Sequence, residues 1–186
     1  EAEYWDRKLE LFFQARPNLS PAKYHALGRI SAALAEGLCK AVPTCGLTLE
    51  EAQLIGRAAA YCDVGLLGIP DNIIEMGQDQ GGSGQEVYFR HTALGHALFT
   101  TGPSSSRPLA RYAAEIAYWH HKNFDGTGYP TEESAAPIPL SAQIVRTAIR
   151  CMGYMDYFRG YPDCLDRTVR SLATDVGRFI SPDLYQ

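Results

Sequence analysis

Residues able to ligate a metal stand at three separate places in this chain. Asp63 lies within YCDVGLLGIPD, His91 within RHTALGHALF, and His120-His121 within YWHHKNFDGTGYP. Neutral imidazoles and a carboxylate suit iron, manganese, nickel and zinc, and iron and manganese tolerate the more oxygen-rich shells. A carboxylate can also bridge two metals, and a metal pair can clamp the attacking and leaving oxygens of a phosphodiester. Separate histidines in a helical domain are usually structural, so residue type alone does not assign the site. Cys62 stands beside Asp63. As a thiolate it would be a further donor for zinc or iron, although a free cysteine more often fills a core gap.

The segment after the histidines reads as a loop of fixed shape. Asp125-Gly126 and Thr127-Gly128 are turn dipeptides, in which glycine supplies positive φ. Tyr129-Pro130 then biases the exit towards extended backbone. Asp125 is placed to accept N–H bonds across the turn, or to orient a histidine from behind. Lys122, Asn123 and Tyr129 are expected at the surface as a partner patch, and Phe124 is expected to pack under the loop.

Helices must position all of these. Trp5, Leu9, Phe12 and Phe13 share a face at helical spacing, giving a first helix. Ser20-Pro21 reads as N-cap and first turn of a second, and Thr48–Glu51 as a capping box opening a third towards Asp63. GIPDNIIEM predicts a turn and a short helix, and the Gly77–Gly84 tract a loop. One helix is expected from about Gln85 through His91 to Leu98. Another runs from Pro108 to the histidines, then a long one from Ser141 to about Tyr157. A further helix is expected from about Cys164 to Val176, and SPDLYQ opens one more. The tyrosine-rich Tyr154–Pro162 run is read as core rather than as a base-stacking surface. The expected fold class is all-α.

Composition narrows the function classes. A length of 186 residues with 46% hydrophobic and 20% charged residues suits a globular domain. A net charge of −4 gives no reason to expect DNA or RNA as a partner. No apolar run approaches the roughly 20 residues needed to span a bilayer. Five scattered cysteines without CxxC spacing argue for a reducing cytosol. The ends of the chain read as those of a domain cut from a longer protein, with residues 1–18 as an N-terminal linker helix and 19–186 as the domain proper.

Taken together, YCDVGLLGIPD, RHTALGHALF, AAEIAYWHHKNFDGTGYP, IPLSAQIV and GRFISPDL resemble the HD-GYP family, bacterial phosphodiesterases that hydrolyse cyclic di-GMP. The resemblance runs from about Ser20 to the end and is strongest from Ala58 to Val145. It implies an HD-type helical bundle with the GYP loop, Asp125 to Pro130, beside a two-metal cleft. It also implies the loop as a recognition surface for diguanylate cyclase partners. Position by position it further implies a loss. Asp63, His91, His120 and His121 match ligands, while Cys62 replaces the dyad histidine, Ala26 an early histidine and Ile149 (or Arg150) a late aspartate. Leu66 replaces a lysine. The resulting expectation is a degenerate, cytoplasmic signalling domain that binds cyclic di-GMP or a partner protein. It would hold at most one divalent transition metal (iron, manganese or zinc) or none. The rival expectations are an active cyclic di-GMP phosphodiesterase using an incomplete or Cys62-containing metal site, and a homodimerising module built on the first helix.

Overall fold

The structure, a computed structural model, describes residues 2–77, 81–101, 105–131 and 137–185. The described residues form an all-α bundle with no named strand, only isolated backbone bridges at Lys122–Gly128 and Val176–Ile180. The helices are α1 (Ala2–Ala15), α2 (Pro21–Ala41), α3 (Leu49–Ala59), α4 (Asp71–Met76), α5 (Gly82–Phe89), α6 (His91–Thr100), α7 (Pro108–Trp119), α8 (Leu140–Tyr157) and α9 (Cys164–Asp175). A 3-10 helix at Val64–Gly68 joins α3 to α4, and a short one at Pro182–Leu184 ends the chain.

Local chemistry sets most of these boundaries. At α3 the capping box is complete: the Glu51 N–H donates to Thr48 Oγ1 at 3.1 Å, and the Thr48 N–H to Glu51 Oε2 at 3.0 Å. This pairing satisfies two donors that a helix start leaves open. Pro21 occupies the first turn of α2 as expected, but the Ser20 side chain makes no capping bond. The core is continuous across α1, α2, α3, α7 and α8. Trp5 and Phe12 pack with Leu27, Ile55, Ile116, Ile144 and Val145 in one buried cluster. The Trp5, Tyr61 and Phe99 rings meet at centroid distances of 5.6 to 6.1 Å, the edge and tilted geometry aromatic quadrupoles favour.

Three sequence expectations change. The helix expected from Gln85 to Leu98 is two helices broken at Arg90. The Gly77–Gly84 loop is shorter than expected, since α5 begins at Gly82; positions 78–80 of it lie outside the described residues. SPDLYQ yields only the 3-10 turn at Pro182–Leu184.

Candidate metal centre

Asp63 follows the end of α3 and leads the Val64–Gly68 3-10 helix. That short helix is tied from outside by Arg16, whose Nη2 donates to the Leu66 and Ile69 carbonyls at 2.6 and 2.8 Å and whose Nη1 pairs with Asp71. On its inner side Gly65 lies against α6 so closely that a Cβ there would stand 1.8 Å from the His91 carbonyl oxygen. The break at Arg90 makes this approach workable. The last carbonyls of α5 would be left without partners, and the next two side chains take them. His91 Nδ1 donates to the Tyr88 carbonyl at 2.8 Å and Thr92 Oγ1 to that of Phe89 at 3.0 Å. His91 therefore begins α6 with its Nε2 turned inward. His120 ends α7 in the same manner, its Nδ1 donating to the carbonyls of Ile116 and Ala117 at 3.0 and 3.2 Å.

The four sequence-derived residues converge: one ligand atom each from Asp63, His91, His120 and His121 lie within 4.8 Å of one another. Asp63 Oδ1 is 3.2 Å from His120 Nε2 and 3.5 Å from His91 Nε2. The Nε2 atoms of all three histidines are buried without a hydrogen-bond partner. Because Nδ1 of His91 and of His120 already donates to backbone, the neutral tautomer turns an Nε2 lone pair towards the carboxylate. Lone pairs facing a carboxylate repel unless a proton or a cation stands between them. Burial opposes the proton. It is the largest cause pulling His91 below its ordinary range and His121 well below it. Burial acts on Asp63 in the raising direction, but the close approach of His120 at 3.2 Å, with His91 and His121 beside it, holds its carboxyl far below the usual range. A carboxylate with three inward imidazole nitrogens is a donor set that fits a divalent transition metal.

Aromatic rings and the GYP loop wall this cluster. Tyr129 is sandwiched between Phe89 and His121, with centroids 3.7 and 4.2 Å away in stacked geometry. The loop closes through a cis Tyr129–Pro130 peptide. Asp125 Oδ1 accepts the Thr127 N–H at 2.9 Å and the Thr127 hydroxyl at 2.6 Å, so it serves the turn and contacts no histidine. Gly128 has φ +87°, and a Cβ there would meet the His121 carbonyl oxygen at 2.2 Å. Only glycine fits that position. The Asp125 N–H donates to Arg178 O at 3.0 Å and that of Phe124 to Phe179 O at 3.4 Å, which backs the loop with the segment after α9.

Several expectations are corrected here. Tyr129 and Asn123 are buried, not displayed, because the first is stacked on His121 and the second is bonded to Thr127 and Arg146. Phe124, expected beneath the loop, is 40% exposed. Tyr157 and Tyr161 of the tyrosine-rich run are 77% and 52% exposed. Cys62 is not among the four residues of the ligand cluster; burial and then the Asp63 charge push its thiol well up. Arg150, the alternative position for the late aspartate, holds Asp175 with two bonds at 2.7 and 2.9 Å and lies over the Phe179 ring. Ala26 and Ile149 are partly buried.

One contact was missed in the sequence. The Tyr24 hydroxyl of α2 donates to Asp63 Oδ2 at 2.7 Å. The carboxylate therefore has two unlike ends, one oxygen among imidazoles and the other under a phenol. Burial is the largest cause, followed by the Asp63 charge, that raises the Tyr24 hydroxyl far above its ordinary range, so it remains a donor.

Comparison with known proteins gives the same class. Residues 18–150 match the HD domain family. The chain is 31% identical to a cyclic di-GMP phosphodiesterase of Thermotoga maritima over 131 residues, 69% of this chain and 34% of that protein. It is 31% identical to the 3'3'-cGAMP-specific phosphodiesterase 2 of Vibrio cholerae serotype O1 over 143 residues, 76% of this chain and 27% of that protein. It is 34% identical to the cyclic di-GMP phosphodiesterase response regulator RpfG of Xanthomonas campestris pv. campestris over 107 residues, 55% of this chain and 26% of that protein. The chain thus spans a quarter to a third of these relatives' length. It belongs to the HD domain family, in the HD-GYP branch. Among the described residues no helix is long and apolar enough to cross a membrane.

Proposed function

We propose that this domain is a cyclic di-GMP receptor. It holds at most one divalent transition metal through Asp63, His91, His120 and His121, and turns its ligand over slowly or not at all. The observation that carries the reading is the divided Asp63 carboxylate. A carboxylate that bridges through both oxygens offers one to each metal, and here Oδ2 is engaged by the Tyr24 hydroxyl at 2.7 Å. The residues aligned with the other ligands, Ala26, Cys62 and Ile149, bring a methyl group, a neutral buried thiol and an apolar side chain. A single metal would supply a Lewis acid for one phosphate oxygen. The ligand class follows from the cyclic dinucleotide named in the relatives.

Those relatives are named as phosphodiesterases, so hydrolysis by a one-metal site is the competing reading. Elemental analysis after chelator-free, air-free purification is expected to give no more than one metal per chain. Calorimetry is expected to show saturable cyclic di-GMP binding, and turnover no faster than in a His120→Ala/His121→Ala variant. Two metals per chain, or a metal-dependent rate abolished in that variant, would establish the enzyme instead.

A further inference from the structure

Helix α8 brings a second kind of charge to this region. Arg146 is half-buried, and its Nε and Nη2 both donate to one neutral acceptor, Asn123 Oδ1, at 2.9 and 2.6 Å. A guanidinium has five N–H donors, so three are unspent among the described residues. No described carboxylate pairs with it. The nearby acid, Asp175, is held by both prongs of Arg150 and approached by the Tyr154 hydroxyl at 3.2 Å. Arg146 Nη1 has no hydrogen-bond partner among the described residues and is not a sealed polar atom, so its two N–H groups reach solvent. Asn123 stands two residues after His121, and its side-chain amide nitrogen donates to Thr127 at 2.9 Å, so the guanidinium is fastened where the histidine pair runs into the GYP loop. A cation partly withdrawn from water beside a neutral amide oxygen is under-compensated. A planar fork with free prongs matches a phosphate.

We propose that Arg146 is an anion ligand of this site, donating its unspent N–H groups to a phosphate oxygen of the bound cyclic dinucleotide beside the histidine cluster. The inference rests on the receptor reading above and adds the residue that recognises the phosphate. Its alternative is a latch: Arg146 does no more than fasten α8 to the GYP loop through Asn123.

Two variants separate these roles. Arg146→Ala removes both charge and latch. Asn123→Asp gives the guanidinium a carboxylate, which keeps α8 fastened to the loop and neutralises the cation, while losing the Asn123 Nδ2 bond to Thr127; Thr127→Val serves as the control for that lost bond. Cyclic di-GMP binding is measured by calorimetry, with melting temperature and metal content followed in parallel. An anion ligand predicts that both variants weaken binding about tenfold or more, as expected for loss of a charge-assisted bidentate contact. Asn123→Asp should do so with its metal content unchanged and its melting temperature no lower than that of Thr127→Val, which should bind as wild type. A pure latch predicts that Asn123→Asp binds as wild type, and that result overturns the proposal, as does undiminished binding by Arg146→Ala. If the wild-type domain binds no cyclic di-GMP, it is the receptor reading that has failed. Inorganic phosphate then serves as the probe: it should raise the melting temperature of wild type and not of either variant, and equal shifts in all three overturn the role of Arg146.

Discussion

Asp63 holds the chemistry of this site because its two oxygens have different neighbours. Oδ1 faces His91 and His120, and Oδ2 receives the Tyr24 hydroxyl. The Tyr24 bond is made to a charged, partly withdrawn acceptor, and such bonds contribute about 1.5–3 kcal/mol. Tyr24→Phe is therefore expected to cost about 2 kcal/mol in urea denaturation, with metal content still no higher than one per chain. A rise to two metals would mean that the hydroxyl alone was excluding the second ion. The four candidate ligands were legible in the sequence through their types taken together with the surrounding motifs, which resemble those of the HD-GYP family. Tyr24 was not, since an aromatic on the buried face of a helix reads as core and its partner lies 39 residues away. Arg146 was silent for a related reason: its role depends on a neutral acceptor from another element.

At the scale of elements, the candidate metal centre depends on how closely the Val64–Gly68 3-10 helix sits on the start of α6. Gly65→Ala would place a methyl group 1.8 Å from the His91 carbonyl oxygen, and backbone on that side cannot yield cheaply. The variant is expected to lose about 1–3 kcal/mol of stability, as overpacked cores do. Metal affinity should fall with it, because Asp63 and His91 move apart; a zinc titration by calorimetry reads this directly. Retained affinity in a folded variant would show that the two elements are not rigidly coupled. Starts such as Thr48–Glu51 and Pro108 could be read in advance, because capping chemistry is local. The break at Arg90 could not. It depends on the His91 and Thr92 side chains taking α5 carbonyls, and on Gly65 arriving from 25 residues earlier. The GYP loop shows both cases together. Its turn glycines were evident from composition, whereas burial of Tyr129 follows from Phe89 and His121 closing on its two faces.

For the whole molecule, burying the histidine cluster couples folding to protons. Burial is the main cause lowering both His91 and His121, from an ordinary value of 6.5. Above that pH the imidazoles are neutral in folded and unfolded chains alike and contribute no slope. Below it the unfolded chain takes up protons that the folded chain refuses, so stability must fall as pH falls. The slope is at most about 1.4 kcal/mol per pH unit for each such histidine. Asp63 shifts in the same sense, but its contribution is lost only below the ordinary carboxylate value of 3.8, outside this window. Chelator-treated protein is therefore expected to hold constant stability from pH 8 to 7 and to lose it steadily from about 6.5 to 5. Bound metal needs the same neutral imidazoles, so its affinity should decline over the same interval as protons compete. Urea denaturation at a series of pH values measures the first effect, and the difference between metal-loaded and chelated midpoints the second. A flat profile between pH 7.5 and 5.5 would mean that the folded site accepts protons with Asp63 as counter-ion. The inward lone pairs would then be relieved without a metal, and the physical case for a metal in this centre would fall.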